Sequence, residues 1–118
     1  MAVHVYQYPN CGTCKKALKW LDAHGVACTK SDLVSDRIPR ATLEDLHRRS
    51  GLPIARLFNT SGESYRAGNF KERLRAMSEA EALGALAADG KLVKRPILDA
   101  GALVLVGFDE AAYARLLG

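Results

Sequence analysis

The chain has 118 residues, of which 48% are hydrophobic and 25% are charged, a composition typical of a globular domain with one hydrophobic core. No apolar run reaches the ~20 residues of a membrane-spanning helix and no signal peptide is visible, so we expect a cytoplasmic protein without a membrane partner. The net charge of +4 comes from scattered lysines and arginines, which argues against direct nucleic-acid binding. Three cysteines, an odd number, favour catalytic thiols over a secreted disulfide framework.

The first predicted elements place two cysteines at the start of a helix. Alternating β-forming residues over 3–8 predict a strand, and after a short turn the helical pattern runs from about Gly12 to His24. Cys11 therefore lies at a helix N-terminus, where unpaired backbone N–H groups and the helix dipole stabilise a thiolate. Because Lys15 and Lys16 add positive charge there, we expect the pKa of Cys11 to lie below the ~8.5 of a free cysteine.

A parallel β–α–β unit is predicted next. The apolar face of the helix consists of Cys14, Ala17, Leu18 and Leu21. Trp20 falls off this face and is expected to cover its rim. A second strand from about Ala27 to Asp32 follows within a few residues, so the two strands should run parallel. Cys28 lies in this strand and is expected in the core.

The middle of the chain, about residues 41–90, is predicted to be a helical insertion. Thr42 is expected to cap a helix over Leu43–Ser50, and a loop is expected over residues 59–64. Ser78-Glu79-Ala80-Glu81 has the spacing of a capping box, which predicts a further helix before the last part of the chain.

β structure returns at the end of the chain. Residues 92–98 and 103–106 predict an antiparallel hairpin, and Asp109 is placed to cap a last helix. The resulting order, β–α–β, helices, β–β–α, is the layout of an α/β, thioredoxin-like domain with a helical insertion and a mixed four-stranded sheet. We expect one such domain over residues 1–118. Pro96 fits this layout, because a proline that opens the third strand of such folds is typically cis and faces the reactive cysteine.

Cys11 and Cys14 form the candidate redox centre. Cys11 is the more exposed thiol and the natural nucleophile, and Cys14 lies about one turn further on, where it can attack an adduct at Cys11. The alternatives are two structural cysteines, or a zinc site completed by His24 and Cys28. A helix of about ten residues would hold those last two ~15 Å away, too far for one tetrahedral ion, so no metal is expected. Cys28 stays a second candidate for the resolving thiol.

Arg95 is the candidate partner for an anionic ligand. It directly precedes Pro96, which the fold would bring next to Cys11. A guanidinium there can bind an oxyanion and stabilise the thiolate. The alternative is an exposed arginine at the end of a strand.

Five blocks of the sequence carry a resemblance to a known family. They are Tyr8-Pro9-Asn10-Cys11-Gly12-Thr13-Cys14-Lys15-Lys16-Ala17, Leu57-Phe58-Asn59-Thr60-Ser61-Gly62, Tyr65-Arg66, Lys94-Arg95-Pro96-Ile97-Leu98 and Val106-Gly107-Phe108. They span essentially the whole chain and resemble the arsenate reductase/Spx family, whose members share a thioredoxin-like domain with a helical insertion.

The resemblance implies how an oxyanion would be bound. Glutaredoxin-coupled arsenate reductases of this family use one cysteine and three arginines. Cys11 matches the cysteine and Arg95 matches one arginine, whereas Asn59 stands where another would fall and Leu103–Phe108 offers none for the third. The remaining substrate contacts that we expect are Gly12, Thr13, Lys15, Arg66 and Pro96.

Cys14 stands where those enzymes usually have serine or threonine, which makes an internal disulfide feasible. The resemblance thus implies a thiol-dependent oxidoreductase that reduces arsenate to arsenite through a Cys11 adduct and a disulfide. It implies no bound cofactor, with thioredoxin or glutaredoxin and glutathione as the external thiol donor. Spx-type regulators share the same Cys-x-x-Cys, bind RNA polymerase and are switched by that disulfide, so a redox-switched transcriptional regulator is the alternative.

Overall fold

The computed structural model describes residues 2–117, and a mixed sheet of four strands lies at its centre. The strands are β1 (His4–Gln7), β2 (Thr29–Asp32), β3 (Ile97–Asp99) and β4 (Val104–Val106). Their order in the sheet is β2-β1-β3-β4, with β1 and β2 parallel and β3 antiparallel to both of its neighbours. The predicted mixed four-stranded sheet is therefore confirmed.

Helices cover both faces of this sheet. They are α1 (Gly12–Ala23), α2 (Arg40–Ser50), α3 (Glu63–Ala67), α4 (Phe70–Arg73), α5 (Glu79–Ala88) and α6 (Glu110–Leu117), with 3-10 helices over Ile54–Leu57 and Gly90–Leu92. Helices α2 to α5 lie between β2 and β3 in the chain, as the thioredoxin-like layout with a helical insertion predicts. Within residues 2–117, no helix combines the length and the apolar character needed to cross a membrane.

The sheet separates two apolar clusters, because alternate residues of a strand point to opposite faces. On β3, Leu98 joins the cluster beneath α1 and α6, whereas its neighbour Ile97 joins the cluster beneath the inserted helices. The first cluster also contains Val5, Ala17, Trp20, Leu21 and Tyr113. The second contains Leu43, Leu46, Leu57, Phe58, Leu83, Leu86 and Val93. Helix α1, with the candidate redox centre at its start, therefore packs on the face of the sheet that carries the first cluster.

Several local predictions are confirmed. Ser78 Oγ accepts a hydrogen bond from the Glu81 N–H at 3.1 Å, and the Glu81 carboxylate accepts one from the Ser78 N–H at 2.9 Å, which completes the capping box. Asp109 Oδ1 accepts a hydrogen bond from the Ala111 N–H at 3.1 Å and so caps α6. The bond between Arg95 and Pro96 is cis.

Two predictions about the helical insertion are wrong. Helix α2 begins at Arg40 after Pro39, with no side-chain cap, so Thr42 does not cap it. Pro39 and Arg40 are both exposed, so water can accept hydrogen bonds from the first N–H groups of the helix. The loop expected over 59–64 is shorter, because α3 begins at Glu63.

The strand predicted over 92–98 is also largely wrong. The chain forms a 3-10 helix through Leu92, and Val93 makes an isolated bridge to Phe58. The Leu92 carbonyl accepts a hydrogen bond from the Asn59 N–H at 2.7 Å, which commits this segment to the insertion instead of the sheet. Strand β3 starts only at Ile97.

Burial differs from the prediction at two positions near α1. Trp20 is buried, with 8% of its surface exposed, while Leu18 is only half-buried. The Trp20 ring packs edge-on against Tyr113 of α6, a neighbour that helical periodicity cannot reveal. Cys28 precedes β2 and is half-buried rather than in the core, because β2 is an edge strand.

Candidate active site

Cys11 is the N-cap residue of α1. Its backbone is extended (φ −94°, ψ 118°), and its Sγ accepts a hydrogen bond from the Cys14 N–H at 3.3 Å. The Cys11 N–H itself donates to the Tyr8 carbonyl at 3.0 Å, which closes the turn after β1. A sulfur thus takes the place of the usual serine or aspartate oxygen at this cap, and a thiolate is stabilised there.

The surroundings of Cys11 lower its pKa. Burial acts to raise it, but hydrogen bonds from the thiol and the backbone N–H of Cys14, together with the nearby Arg95 guanidinium, outweigh burial and hold the pKa below its ordinary value. Lys15 and Lys16 are exposed and are not among the groups that cause this shift. The predicted direction agrees with the structure, but the cations invoked for it from sequence are not its source.

Cys14 is the opposite kind of thiol. It is fully buried on the inner face of α1, and burial raises its pKa to about 12, with the hydrogen bond to Cys11 adding to that effect. At neutral pH Cys14 is therefore a protonated thiol, and Cys11 is the more acidic of the two sulfurs. This is the protonation pattern of a nucleophile followed by a resolving thiol.

Arg95 lies just before β3 and faces the cysteine turn. Its guanidinium carbon is 5.0 Å from the centre of the Tyr8 ring, in cation–π geometry. Its neighbours hold it there, because the Lys94 N–H donates to the Leu57 carbonyl at 2.7 Å and the Pro96 carbonyl accepts from the Gly107 N–H at 2.8 Å. Within residues 2–117 the buried Nη1 of Arg95 has no hydrogen-bond acceptor. A buried charged donor of this kind is suited to an anionic ligand.

A cavity of about 240 Å³ opens beside this guanidinium. Its lining residues are Tyr8, Asn59, Gly62, Glu63, Ser64, Lys91 and Arg95. Sequence reasoning missed Glu63, Ser64 and Lys91, which no local motif connects to Cys11. Tyr8 could have been found, since it belongs to the same sequence block as the cysteines.

The other predicted substrate contacts lie at different places. Gly12, Thr13 and Lys15 are all exposed, and all three lie near the start of α1. Pro96 is buried next to Arg95. Arg66 is exposed on α3 and is not among the residues that line the cavity, whereas Asn59 is.

The structure does not bring Cys28 close to Cys11. Cys28 precedes Thr29, which pairs with His4 at the first residue of β1, whereas Cys11 follows the last residue of that strand. A strand of four residues spans about 13 Å at ~3.3 Å per residue, and a disulfide needs Cα atoms within about 7 Å. Cys14 is thus the better placed resolving thiol.

Comparisons with known proteins place the chain among related sequences and structures. The sequence profile of the ArsC family matches residues 6–116. The chain is 46% identical over 110 residues to the uncharacterised protein YusI of Bacillus subtilis, with 93% of each chain covered. An ArsC family related protein from Bacteroides fragilis superposes with a TM-score of 0.93 at 39% identity, covering 98% of this chain and 99% of that one. The structure of a possible arsenate reductase from Streptococcus mutans superposes with a TM-score of 0.87 at 35% identity, covering 97% and 96%.

A more distant relative belongs to a different functional class. The regulatory protein MgsR of Bacillus subtilis is 25% identical over 111 residues, which cover 94% of this chain and 86% of that protein. The proteins that this chain resembles therefore include both a possible arsenate reductase and a regulatory protein.

Proposed function

Since the chain belongs to the ArsC family, we propose that it is a thiol-dependent oxidoreductase that reduces arsenate to arsenite. The observation that carries the proposal is the arrangement at the cysteine turn. A stabilised Cys11 thiolate lies between a buried thiol, Cys14, and an arginine whose buried Nη1 has no acceptor within residues 2–117.

In the first step the Cys11 thiolate attacks the arsenic of arsenate. A sulfur–arsenic bond forms, an arsenate hydroxyl takes up one proton from solvent and leaves as water, and arsenic remains As(V). Arg95 holds the oxyanion with charge-assisted hydrogen bonds, and the N–H groups of Gly12 and Thr13, in the first turn of α1, add further donors.

In the second step the Cys14 sulfur attacks the Cys11 sulfur. The sulfur–sulfur bond forms, and the electron pair of the sulfur–arsenic bond stays on arsenic, which becomes As(III). The two sulfurs are thereby oxidised, and the Cys14 proton passes to the departing arsenite oxygens. The hydrogen bond between Cys14 and the Cys11 thiolate is one of the interactions that raise the pKa of Cys14. Formation of the adduct at Cys11 removes that interaction.

An external thiol then reduces the disulfide, so no bound cofactor is required. We propose thioredoxin, or glutaredoxin with glutathione, as the donor and the cytoplasm as the location, where such donors are present. Cys11 is half-buried and accessible to a donor, whereas Cys14 is fully buried, so the donor would attack Cys11.

The second candidate function is a redox-switched transcriptional regulator that binds RNA polymerase. The similarity to the regulatory protein MgsR favours it, and so does the presence of Asn59 in the cavity at a position where the resemblance to arsenate reductases calls for arginine. In that case the same disulfide would change the shape of a protein-binding surface.

The deciding measurement is the steady-state rate of arsenate reduction, with a thioredoxin system and a glutaredoxin–glutathione system supplied in turn. We expect turnover with one of them and none for Cys11→Ser. In Cys14→Ser a Cys11 adduct with arsenic or with a donor thiol should accumulate and be visible by intact mass. Absence of turnover above background with both donors would end the reductase proposal, and a pull-down of RNA polymerase by the oxidised and reduced protein would then test the regulator.

A further inference from the structure

The segment from Gly90 to Arg95 is held tightly against the rest of the fold. A Cβ added at Gly90 would lie 2.0 Å from the Leu33 carbonyl oxygen, so this position requires glycine. The Leu92 carbonyl accepts a hydrogen bond from the Asn59 N–H at 2.7 Å, and Val93 forms an isolated β-bridge with Phe58. The backbone of this segment therefore has little freedom, and each side chain leaves it in a defined direction.

The side chains of this segment divide between the interior and two cavities. Leu92 and Val93 are buried in the cluster beneath the inserted helices. Lys91 and Arg95 line the same cavity beside Tyr8, whereas Lys94 lines a different cavity with Arg56 and Thr60. Two cations from one short segment thus line one cavity, and one of them, Arg95, also lowers the pKa of Cys11.

The charges in this cavity are unbalanced. Lys91 and Arg95 supply two positive charges against the single carboxylate of Glu63, which leaves one net positive charge. Within residues 2–117 neither cation is held in an ion pair, since no carboxylate lies within 4.0 Å of either one. An anion in the cavity would therefore meet both cations.

We propose that Lys91 is a second cationic residue of the oxyanion site and that it makes the site selective for doubly charged tetrahedral oxyanions. The proposal rests on the proposed function, because it assigns a substrate-binding role within that site. Lys91 acts through charge alone, as an exposed ammonium on a flexible stem, while Arg95 supplies the directional hydrogen bonds. Removal of one positive charge costs a dianion twice the Coulomb energy that it costs a monoanion.

The experiment measures anion protection of Cys11 against iodoacetamide, a neutral reagent that a lysine does not steer. The alkylation rate of Cys11 is followed by peptide mass against increasing sulfate, nitrate or arsenate, at constant ionic strength. An apparent dissociation constant is fitted for each variant separately, so a change in the intrinsic reactivity of Cys11 cancels. The variants are Lys91→Gln, Lys91→Arg, Arg95→Ala and the matched control Lys94→Gln, which removes a charge from the same segment but from the other cavity.

For Lys91→Gln we expect the dissociation constant to rise by about 10-fold for sulfate and about threefold for nitrate, because the free-energy effect scales with ligand charge. Lys91→Arg should restore the wild-type values, and Lys94→Gln should leave them within twofold. Equal effects on sulfate and nitrate, or an equal loss in Lys94→Gln, would overturn the assignment of Lys91.

The failure of this inference differs from the failure of the proposed function. One possible result is that anions protect the wild type and Lys91→Gln but do not protect Arg95→Ala. In that case only the role of Lys91 is excluded. If neither sulfate nor arsenate slows the alkylation of wild-type Cys11, the oxyanion site itself is absent and both proposals fail.

Discussion

Two arginines in this protein occupy contrasting environments, one at the junction of α2 with the sheet and one beside the cysteine turn. Arg49 donates to both oxygens of Asp99 at 2.6 and 2.9 Å, to Asp45 at 2.9 Å and to the Gly101 carbonyl at 2.9 Å. Arg95 makes a cation–π contact, and its buried Nη1 has no acceptor within residues 2–117. The first guanidinium is saturated by the fold, whereas the second keeps donors available.

The difference separates structural roles from functional ones. Hydrogen bonds from Arg49 hold the pKa of Asp99 below its usual range, and the carboxylates of Asp99 and Asp45 raise the pKa of Arg49. This ion pair ties the inserted helix α2 to the turn after β3. The positive charge of Arg95 instead lowers the pKa of Cys11, as one of several groups that do so. Substitutions at the two arginines should therefore affect different properties of the protein.

The largest expected effect is on activity at Arg95. Loss of its charge-assisted hydrogen bonds should cost roughly 1.5–3 kcal/mol of oxyanion stabilisation, so Arg95→Ala should lower arsenate turnover by about 10- to 150-fold. Arg95→Lys should recover only part of the rate, because a point charge cannot reproduce a planar fork. The measurement is kcat/KM with the active donor system for wild type and both variants.

The control for this prediction is thermal unfolding of the same variants. Because Nη1 of Arg95 has no acceptor within residues 2–117, Tm should stay within a few degrees of wild type. If both Tm and activity fell strongly in Arg95→Ala, Arg95 would support the fold. Its role would then no longer differ from the structural role of Arg49.

Arg49→Ala should show the converse pattern. The side chains of Arg49 and Asp99 are about three-quarters buried, with 25% and 22% of their surfaces exposed, so removal of one partner leaves a partly buried carboxylate unpaired. The free energy of unfolding, measured in urea, should fall by about 1–3 kcal/mol. Arg48→Ala is the matched control on the same helix, because its side chain is 73% exposed and should have little effect. Unchanged stability of Arg49→Ala would mean that α2 is held by apolar packing alone.

The smallest expected effect is on the pH dependence of Cys11 reactivity. Since its pKa is lowered, the thiolate should persist at pH values below the ~8.5 of a free cysteine, and the alkylation rate should fall only as pH drops through the lower value. Arg95→Ala should move the inflection to higher pH, and Arg49→Ala should leave it in place. An inflection of the wild type at or above the free value would contradict the thiolate at the start of the proposed reaction.

Local patterns in the sequence were sufficient wherever the stabilising contacts lie within one turn. The capping box at Ser78 and Glu81, the cap at Asp109 and the placement of Cys11 before a helix all depend on neighbours within about four residues. The same logic failed at Thr42, because an exposed helix start can be satisfied by water and needs no capping side chain. It also failed over 92–98, where a bond to Asn59 overrides the β propensity of the segment.

By itself, therefore, the sequence determined the order of helices and strands and the position of a reactive thiol at the start of α1, because propensity, capping and helix dipoles act over short distances along the chain. Only the tertiary structure decided which side chains line the cavity beside Arg95. Lys91, Asn59 and Glu63 line one cavity although they come from separate segments. Arg49 instead donates its hydrogen bonds to Asp99, and Arg66 is not among the residues that line the cavity. These distinctions depend on packing between distant segments, and packing is set by the whole fold and by no single motif.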